Sequence, residues 1–323
     1  MAQRISHERL AQAAIWYYVH DLGQEEVARR LGTSRSNVSR MLRAARAEGI
    51  IRFQIAYPTR RDLDMEHQLH QRFADTALRE VVITSPSDRV EGPGSEQTGV
   101  LAVAQSAAEW LDTNLRDGQT VGLFWGGTVR AMVDVVHFNG KRNVHVVQLA
   151  GEWSNDPKRS GHDLVRELGL KLSSTYTYFN APAFAATPAD ADALLAEPQV
   201  AASLALARSA DLCLLGVGAF VAGTTAKFLQ QANATEAEIE EARAKGVVGQ
   251  LAGRFFDSSG KQADLEIHRR LVSLDLNELR ESQTIVVMAS GAGKCEAVLG
   301  ALRGGLIDVL IVDAGLASAL LHP

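Results

Sequence analysis

Cysteine is nearly absent: Cys213 and Cys295 are the only two in 323 residues. Two thiols without zinc-site spacing give neither a disulfide framework nor a metal site. No run of about 18 apolar residues occurs, so no transmembrane helix is expected. The first residues, Met1 to Glu8, lack the apolar core of a signal peptide, so a cytoplasmic location is expected. Internal repeats and long low-complexity tracts are missing too. Lysine is absent from residues 1 to 61, which carry 11 arginines against 5 acids, net +6. Residues 62 to 323 carry 22 basic and 33 acidic residues, net −11. A basic head on an acidic body predicts that the head meets a polyanion and the body does not.

The composition is 46% hydrophobic and 22% charged, enough for a sizeable core and too apolar for disorder. The length fits one large domain or two unequal ones. Residues 1 to 56 read as a helix-rich domain and 57 to 323 as an α/β domain. Tyr57-Pro58-Thr59-Arg60-Arg61 falls in the linker at 57 to 62, because Pro58 interrupts regular structure. A helix is expected over 62 to 78, with Leu63, Glu66, Leu69 and Phe73 at helical spacing. Beyond it, short apolar runs read as strands near 81–83, 120–124, 144–147, 212–215, 285–288 and 309–312. Helical stretches lie near 98–116, 128–137, 161–170, 199–209, 235–245 and 294–302. The Ala/Asp-rich segment 185–196 reads as a surface helix or loop. Continuous apolar strands alternating with helices predict a parallel, Rossmann-like sheet covered on both faces.

In the head, Gln24 to Arg43 reads as two short helices that cross closely. Ala28 is small enough for the crossing, and Gly32 permits the left-handed turn between them. Val27 and Leu31 face inward from the first helix; Val38, Met41, Leu42 and Ala45 do so from the second. Ser34 is a good N-cap. The outer face then holds Arg35, Ser36, Ser39, Arg40 and Arg43, with Asn37 beside them. Arginine suits guanine edges and phosphates, asparagine suits adenine, and serine suits phosphates. The expectation is a helix-turn-helix whose second helix enters the major groove of duplex DNA. An earlier helix, about 7 to 21, would pack through Leu10, Ala14, Tyr17, Tyr18 and Leu22. Residues 50 to 55 alternate like a strand and would form a wing, with Arg52 as a phosphate contact.

In the body, Gly126-Gly127-Thr128 follows one predicted strand and opens a helix. Consecutive glycines let backbone N–H groups turn toward an anion. Three more loops join it: Gln148 to Glu152 with Gly151, Gly216-Val217-Gly218, and Gly291-Ala292-Gly293-Lys294. Ligands of open α/β sheets bind beyond the carboxyl ends of the strands, so these loops describe one pocket. Lys294 suits a phosphate there as a point charge. A nucleotide-hydrolysing P-loop is excluded, because Met288 and Cys295 stand where glycine and Ser/Thr are needed.

Tyr17-Tyr18, Gly23 to Ala28, Leu31-Gly32, Ser34 to Leu42 and Ala47 to Ile51 resemble the SorC family of bacterial transcriptional regulators. That family includes the deoxyribonucleoside and central-glycolytic-gene regulators. The later glycine motifs match as well, including Gly253 to Asp257 and Gly304 to Asp313. The resemblance implies an effector domain similar to glucosamine-phosphate deaminase and ribose-phosphate isomerase. It implies a phosphorylated sugar or polyol as effector, operator DNA as partner, a homotetramer, and no cofactor. By that likeness Gly126, Gly127, Thr128 and Lys294 hold the phosphate, while Gln148, Asp257 and Glu266 reach sugar hydroxyls. Glu152 departs from the family pattern and would reject a second phosphate or pair with an amine. The alternative is a sugar-phosphate isomerase or deaminase with a DNA-binding appendage. His137, His145 and His162 are too scattered to give it an acid/base pair.

Overall fold

The structure is a computed structural model that describes residues 5–51, 59–86, 95–138, 140, 142–153, 160–220, 223–281 and 284–323. The chain divides into two compact units, Met1–Ile55 and Ala56–Pro323.

The first unit holds α1 (His7–Ala14), α2 (Gln24–Leu31) and α3 (Arg35–Ala47). The Ser6 hydroxyl caps α1 by accepting from Arg9 N. The helix expected over 7 to 21 does not run through as one α-helix: Ile15–Val19 is a π-helical turn. The wider turn shifts the phase of every side chain after it. Tyr18 consequently leaves the core stripe and is 38% exposed, while Tyr17 and Leu22 stay packed against the core. In α2, Glu25 and Glu26 lie in the first turn and Arg29 and Arg30 in the last, matching the helix dipole. Gly32 ends it at φ 60°, donating its N–H to Ala28 and Arg29 carbonyls. Leu10, Ala13, Val27, Ala28, Val38, Met41, Leu42 and Ala45 form the small core. The expected wing and Arg52 lie outside the described residues, as do Tyr57 and Pro58.

The second unit is α/β. Its strands are β1 (Thr59–Arg61), β2 (Glu80–Pro86), β3 (Thr120–Leu123), β4 (His145–Gln148), β5 (Thr175–Thr177), β6 (Leu212–Gly216), β7 (Gly218–Ala219), β8 (Val247–Leu251), β9 (Arg254–Asp257), β10 (Thr284–Ala289) and β11 (Val309–Asp313). Its helices are α4 (Leu63–Arg72), α5 (Ser95–Asn114), α6 (Gly127–Val135), α7 (Gly161–Leu172), α8 (Pro188–Ala196), α9 (Pro198–Arg208), α10 (Gly223–Gln231), α11 (Glu236–Ala244), α12 (Leu276–Arg280), α13 (Cys295–Arg303) and α14 (Ala314–Leu321).

Among the described residues, one sheet runs β1-β2-β11-β10-β6-β3-β4-β5. All neighbours are parallel except β1, which pairs antiparallel with β2. The centre is fixed by Val286, which lies opposite both Val309 and Leu214. β10, β6 and β11 are buried almost end to end, the mark of a sheet covered on both faces.

The helix expected over 62 to 78 stops at Arg72, and its expected stripe is only partly apolar. Leu63 is 66% exposed, whereas Glu66 is buried. Glu66 accepts two bonds from Arg61, at 2.9 and 2.7 Å, and one from Ile83 N at 2.9 Å. The carboxylate is tolerated inside because the half-exposed Arg61 guanidinium and the buried Ile83 N–H satisfy it. A second sheet, antiparallel β7-β8-β9, packs against α13. Its hairpin turns at Ala252 and Gly253, at φ 49° and 81°.

Candidate functional site

On α3 the side chains at i, i+1, i+4, i+5 and i+8 share one face. Arg35, Ser36, Arg40 and Arg43 are exposed there; Ser39 and Asn37 are half-buried. The Arg35 and Arg43 side chains make no hydrogen bond or ion pair among the described residues. Ser34 is committed to the cap, accepting from Asn37 N at 3.2 Å. Asn37 is committed as well: its Nδ2 donates to Thr33 Oγ1 at 2.7 Å and its Oδ1 accepts from Arg40 at 3.2 Å. Reading a base with Asn37 therefore means exchanging those bonds. On α2, Arg30 pairs with Glu26 at 3.0 Å and stands 5.7 Å from the Trp16 ring, so it is held within the unit.

The body's glycine loops leave the sheet side by side. They follow β10, β6, β3 and β4, which are successive neighbours. Three strand spacings put them within about 15 Å of one another. Gly126 has φ 178°, extended backbone that needs no glycine. A Cβ at Gly126, Gly127 or Gly293 would meet nothing within 4 Å. These glycines keep space empty. Gly126 offers α6 no side-chain cap, so N–H groups of its first turn face that space; Thr128 is buried within the turn.

Gly151 and Gly218 answer a different need. A Cβ at Gly151 would lie 2.4 Å from Pro182 O, and its N–H already donates to Val272 O at 3.0 Å. A Cβ at Gly218 would lie 2.2 Å from Thr225 Oγ1. Both are glycine because other atoms pass close by, so packing accounts for them whether or not a ligand is near. Gly216 is half-buried, and its nearest neighbour in that sense is Met288 O at 3.8 Å.

Lys294 lies at the foot of α13, half-buried, and its side chain makes no hydrogen bond or ion pair among the described residues. Burial pushes its pKa down and the Asp313 carboxylate opposes that. Asp313 fixes the loop: it accepts from the Ser290 hydroxyl, from Gly291 N at 2.7 Å, and from Leu316 N at 2.8 Å as the cap of α14.

Three buried polar atoms at this edge have no partner among the described residues: Gln148 Nε2, Trp125 Nε1 and Thr225 Oγ1. Each orphan costs about 1–3 kcal/mol, which a polar ligand would recover. Gln148 Oε1 accepts from Phe179 N at 3.4 Å, which fixes the amide. Trp125 stacks on Trp153 with centroids 3.7 Å apart, and Phe228 closes on Trp125 at 5.4 Å. Trp125 stands immediately before the first glycine motif in the sequence. Trp153, Thr225 and Phe228 carried no local signal, because only the fold brings them there.

Glu152, expected to reject a second phosphate or pair with an amine, is occupied by internal donors. Its carboxylate accepts from Trp153 N, Ser160 Oγ, Gly161 N and His162 N, at 3.0, 3.0, 3.2 and 2.9 Å. It seals the N-terminus of α7. Asp257 is also spent locally, accepting from Ser259 N at 2.9 Å, the Ser259 hydroxyl at 2.6 Å and Lys261 N at 3.1 Å. Those bonds lower its pKa, the Ser259 hydroxyl foremost. Its turn lies by Gly300 and Gly304, at the end of α13 far from Lys294, so Asp257 is corrected to a turn residue. Glu266 is exposed and pairs with Arg269 at 3.4 Å. The histidines are dispersed: His137 Nδ1 contacts Val135 O, His145 contacts Thr175 and Thr177, and His162 Nε2 contacts Phe179 O.

Comparison with known proteins bears on both units. The sugar-binding domain family model matches residues 57–322. The sorbitol operon regulator of Klebsiella pneumoniae is 27% identical over 97% of this chain and 97% of its own. The transcriptional regulator LsrR of Enterobacter sp. (strain 638) is 30% identical over 98% of this chain and 94% of its own. The crystal structure of full-length SorC from Klebsiella pneumoniae superposes with a TM-score of 0.73 at 26% identity, covering 98% of this chain and 99% of that one. A DeoR family transcriptional regulator from Listeria monocytogenes gives 0.71 at 26% identity, covering 80% and 98%. No helix among the described residues is long and apolar enough to cross a membrane.

Proposed function

Because the chain belongs to the sugar-binding domain family of SorC-type transcriptional regulators, we propose that it binds operator DNA under the control of a small phosphorylated sugar or polyol. The first unit acts as a helix-turn-helix domain. In it α3 enters the major groove, Arg35, Arg40 and Arg43 meet guanine edges and phosphates, and Ser36 and Ser39 meet the backbone. The second unit is the effector domain, of the sugar-phosphate deaminase and isomerase type. Gly126, Gly127, Thr128, Gly293 and Lys294 seat the phosphate, and Gln148 Nε2 and Trp125 Nε1 donate to the polyol oxygens.

The observation that carries this reading is the sheet edge itself. Open glycines lie there with a lysine side chain and buried polar atoms that have no partner among the described residues, on the same chain as an exposed arginine face. Control works by linkage: a ligand that prefers one arrangement of subunits shifts the population able to place two α3 helices on one operator. Symmetric oligomers, here a tetramer, suit a palindromic operator.

A band-shift titration with the promoter DNA of its own operon, with and without a panel of hexose and hexitol monophosphates, tests this. Retardation that changes with one of them supports the reading; no retardation under any condition overturns it. Lys294→Ala should keep DNA binding and lose the response to the sugar phosphate.

A further inference from the structure

A second cavity, of about 620 Å³, lies at the opposite edge of the sheet. Its place follows from α13, which starts beside Lys294 and ends at Arg303. Gly304 then accepts from Arg280, a few residues ahead of β10. Five cations line this cavity, Arg254, Lys261, Arg269, Arg280 and Arg303, against one acid, Asp264. That local balance of +4 sits on a body whose net charge is −11, so composition does not explain it.

Of the five, only Arg269 pairs with a carboxylate among the described residues. Lys261 makes no side-chain hydrogen bond or ion pair among the described residues. Arg280 donates to Gly304 O, and Arg303 to Ser258 O at 3.1 Å, both main-chain carbonyls. Arg269 reaches Glu266 only at 3.4 Å. Arg254 is the telling member, because it is 9% exposed. Its guanidinium donates to the carbonyls of Leu274, His268 and Ser273 at 3.1, 3.1 and 2.8 Å. Its nearest acids are employed elsewhere: Asp275 caps α12, and Glu278 pairs with Arg208 at 2.6 Å. The charges of Asp275 and Glu278 favour its cationic form but burial outweighs them, so the guanidinium is costly, and an anion in the adjoining cavity offsets that cost. His268, also in the wall, accepts from Phe255 N through Nε2 at 2.9 Å, so the neutral ring carries its proton on Nδ1.

We propose that this cavity is a second binding site, for a small phosphorylated anion, separate from the glycine-loop edge. The volume suits a metabolite, and guanidinium forks suit phosphate oxygens. Arg280, Arg303 and Lys261 grip the anion at the rim, and Arg254 supplies the buried positive field behind it.

Isothermal titration of full-length Lys294→Ala protein with inorganic pyrophosphate, at about 0.15 M salt, tests the site with the glycine edge silenced. Saturable binding of one anion per chain is expected. Adding Arg280→Ala and Arg303→Ala should weaken it by about tenfold or more. Lys261→Gln, which removes no internal bond, should weaken it in the same direction. A control pair on other helices, Arg166→Ala with Arg243→Ala, should leave it unchanged. No saturable binding, equal binding by the rim variants, or equal loss in the control pair overturns the proposal. Displacement of pyrophosphate by duplex DNA also overturns it, in favour of a contact to the DNA backbone. The glycine-edge reading is judged by Lys294 and the band shift, so the two fail separately.

Discussion

Gly127→Ala separates a glycine kept for its backbone from one kept for empty space. Gly127 opens α6, and a methyl group built on it meets no atom within 4 Å. The ligand-free protein should therefore accept alanine without strain. Alanine in a helix is favoured over glycine by about 0.5–1 kcal/mol, with the lower figure apt for a first turn. In a unit of this size that raises the melting temperature by roughly 1–4 °C. A phosphate seated on the first turn of α6 would sit about 3 Å from the amide nitrogens, so the new methyl group stands inside its volume. Affinity should fall by about tenfold or more, the equivalent of ~1.4 kcal/mol. The assay is calorimetric melting of the variant, alone and against rising concentrations of a sugar phosphate that stabilises the wild type. A lower melting temperature without ligand would show that Gly127 serves the fold. An unchanged ligand response would remove the phosphate from this edge. Either result refutes the reasoning.

Gly151→Ala should behave oppositely, because its Cβ meets Pro182 O at 2.4 Å and Pro182 C at 2.5 Å, both main chain. A loss on the order of 3 kcal/mol is expected in urea unfolding of the α/β unit, and a midpoint equal to wild type would contradict it. For His268, burial first and then the Arg254 charge push the pKa down to about 3. The unfolded ring takes its proton near pH 6.5, so its contribution is intact above that pH. It is lost as pH falls toward 3, by up to about 1.4 kcal/mol per unit. Urea midpoints between pH 7 and 4 should therefore fall more steeply for wild type than for His268→Gln; parallel slopes would sink that assignment.

The central sheet was legible because its strands are short, apolar and separated by helices. All six runs read as strands take their place in the parallel sheet. What escaped was structure set by distant partners. β7 is two residues long and exists only because β8 lies beside it. β5, at the far edge, carries Tyr176 between two threonines and has no apolar run to read. Glycines looked alike in the sequence, yet Gly127 borders open space and Gly151 borders a main-chain carbonyl, a distinction that only neighbours make. Glu152 was noticed as an odd acid, but its duty at the start of α7 depends on Ser160, Gly161 and His162 folding back to it. On α3, by contrast, a single helix of known phase suffices, so the outer face could be read from spacing alone.

Asp313 ties three pieces of chain to one carboxylate: the Ser290 hydroxyl, the Gly291 amide and the first turn of α14. The terminal helix is thus a strut for the loop that carries Lys294. Force or bulk applied behind Leu321 reaches that loop through α14 and the few hydrogen bonds accepted by Asp313, the last residue of β11. A purification tag placed after Pro323 loads the lysine loop directly, and ligand titrations belong on protein that carries none there.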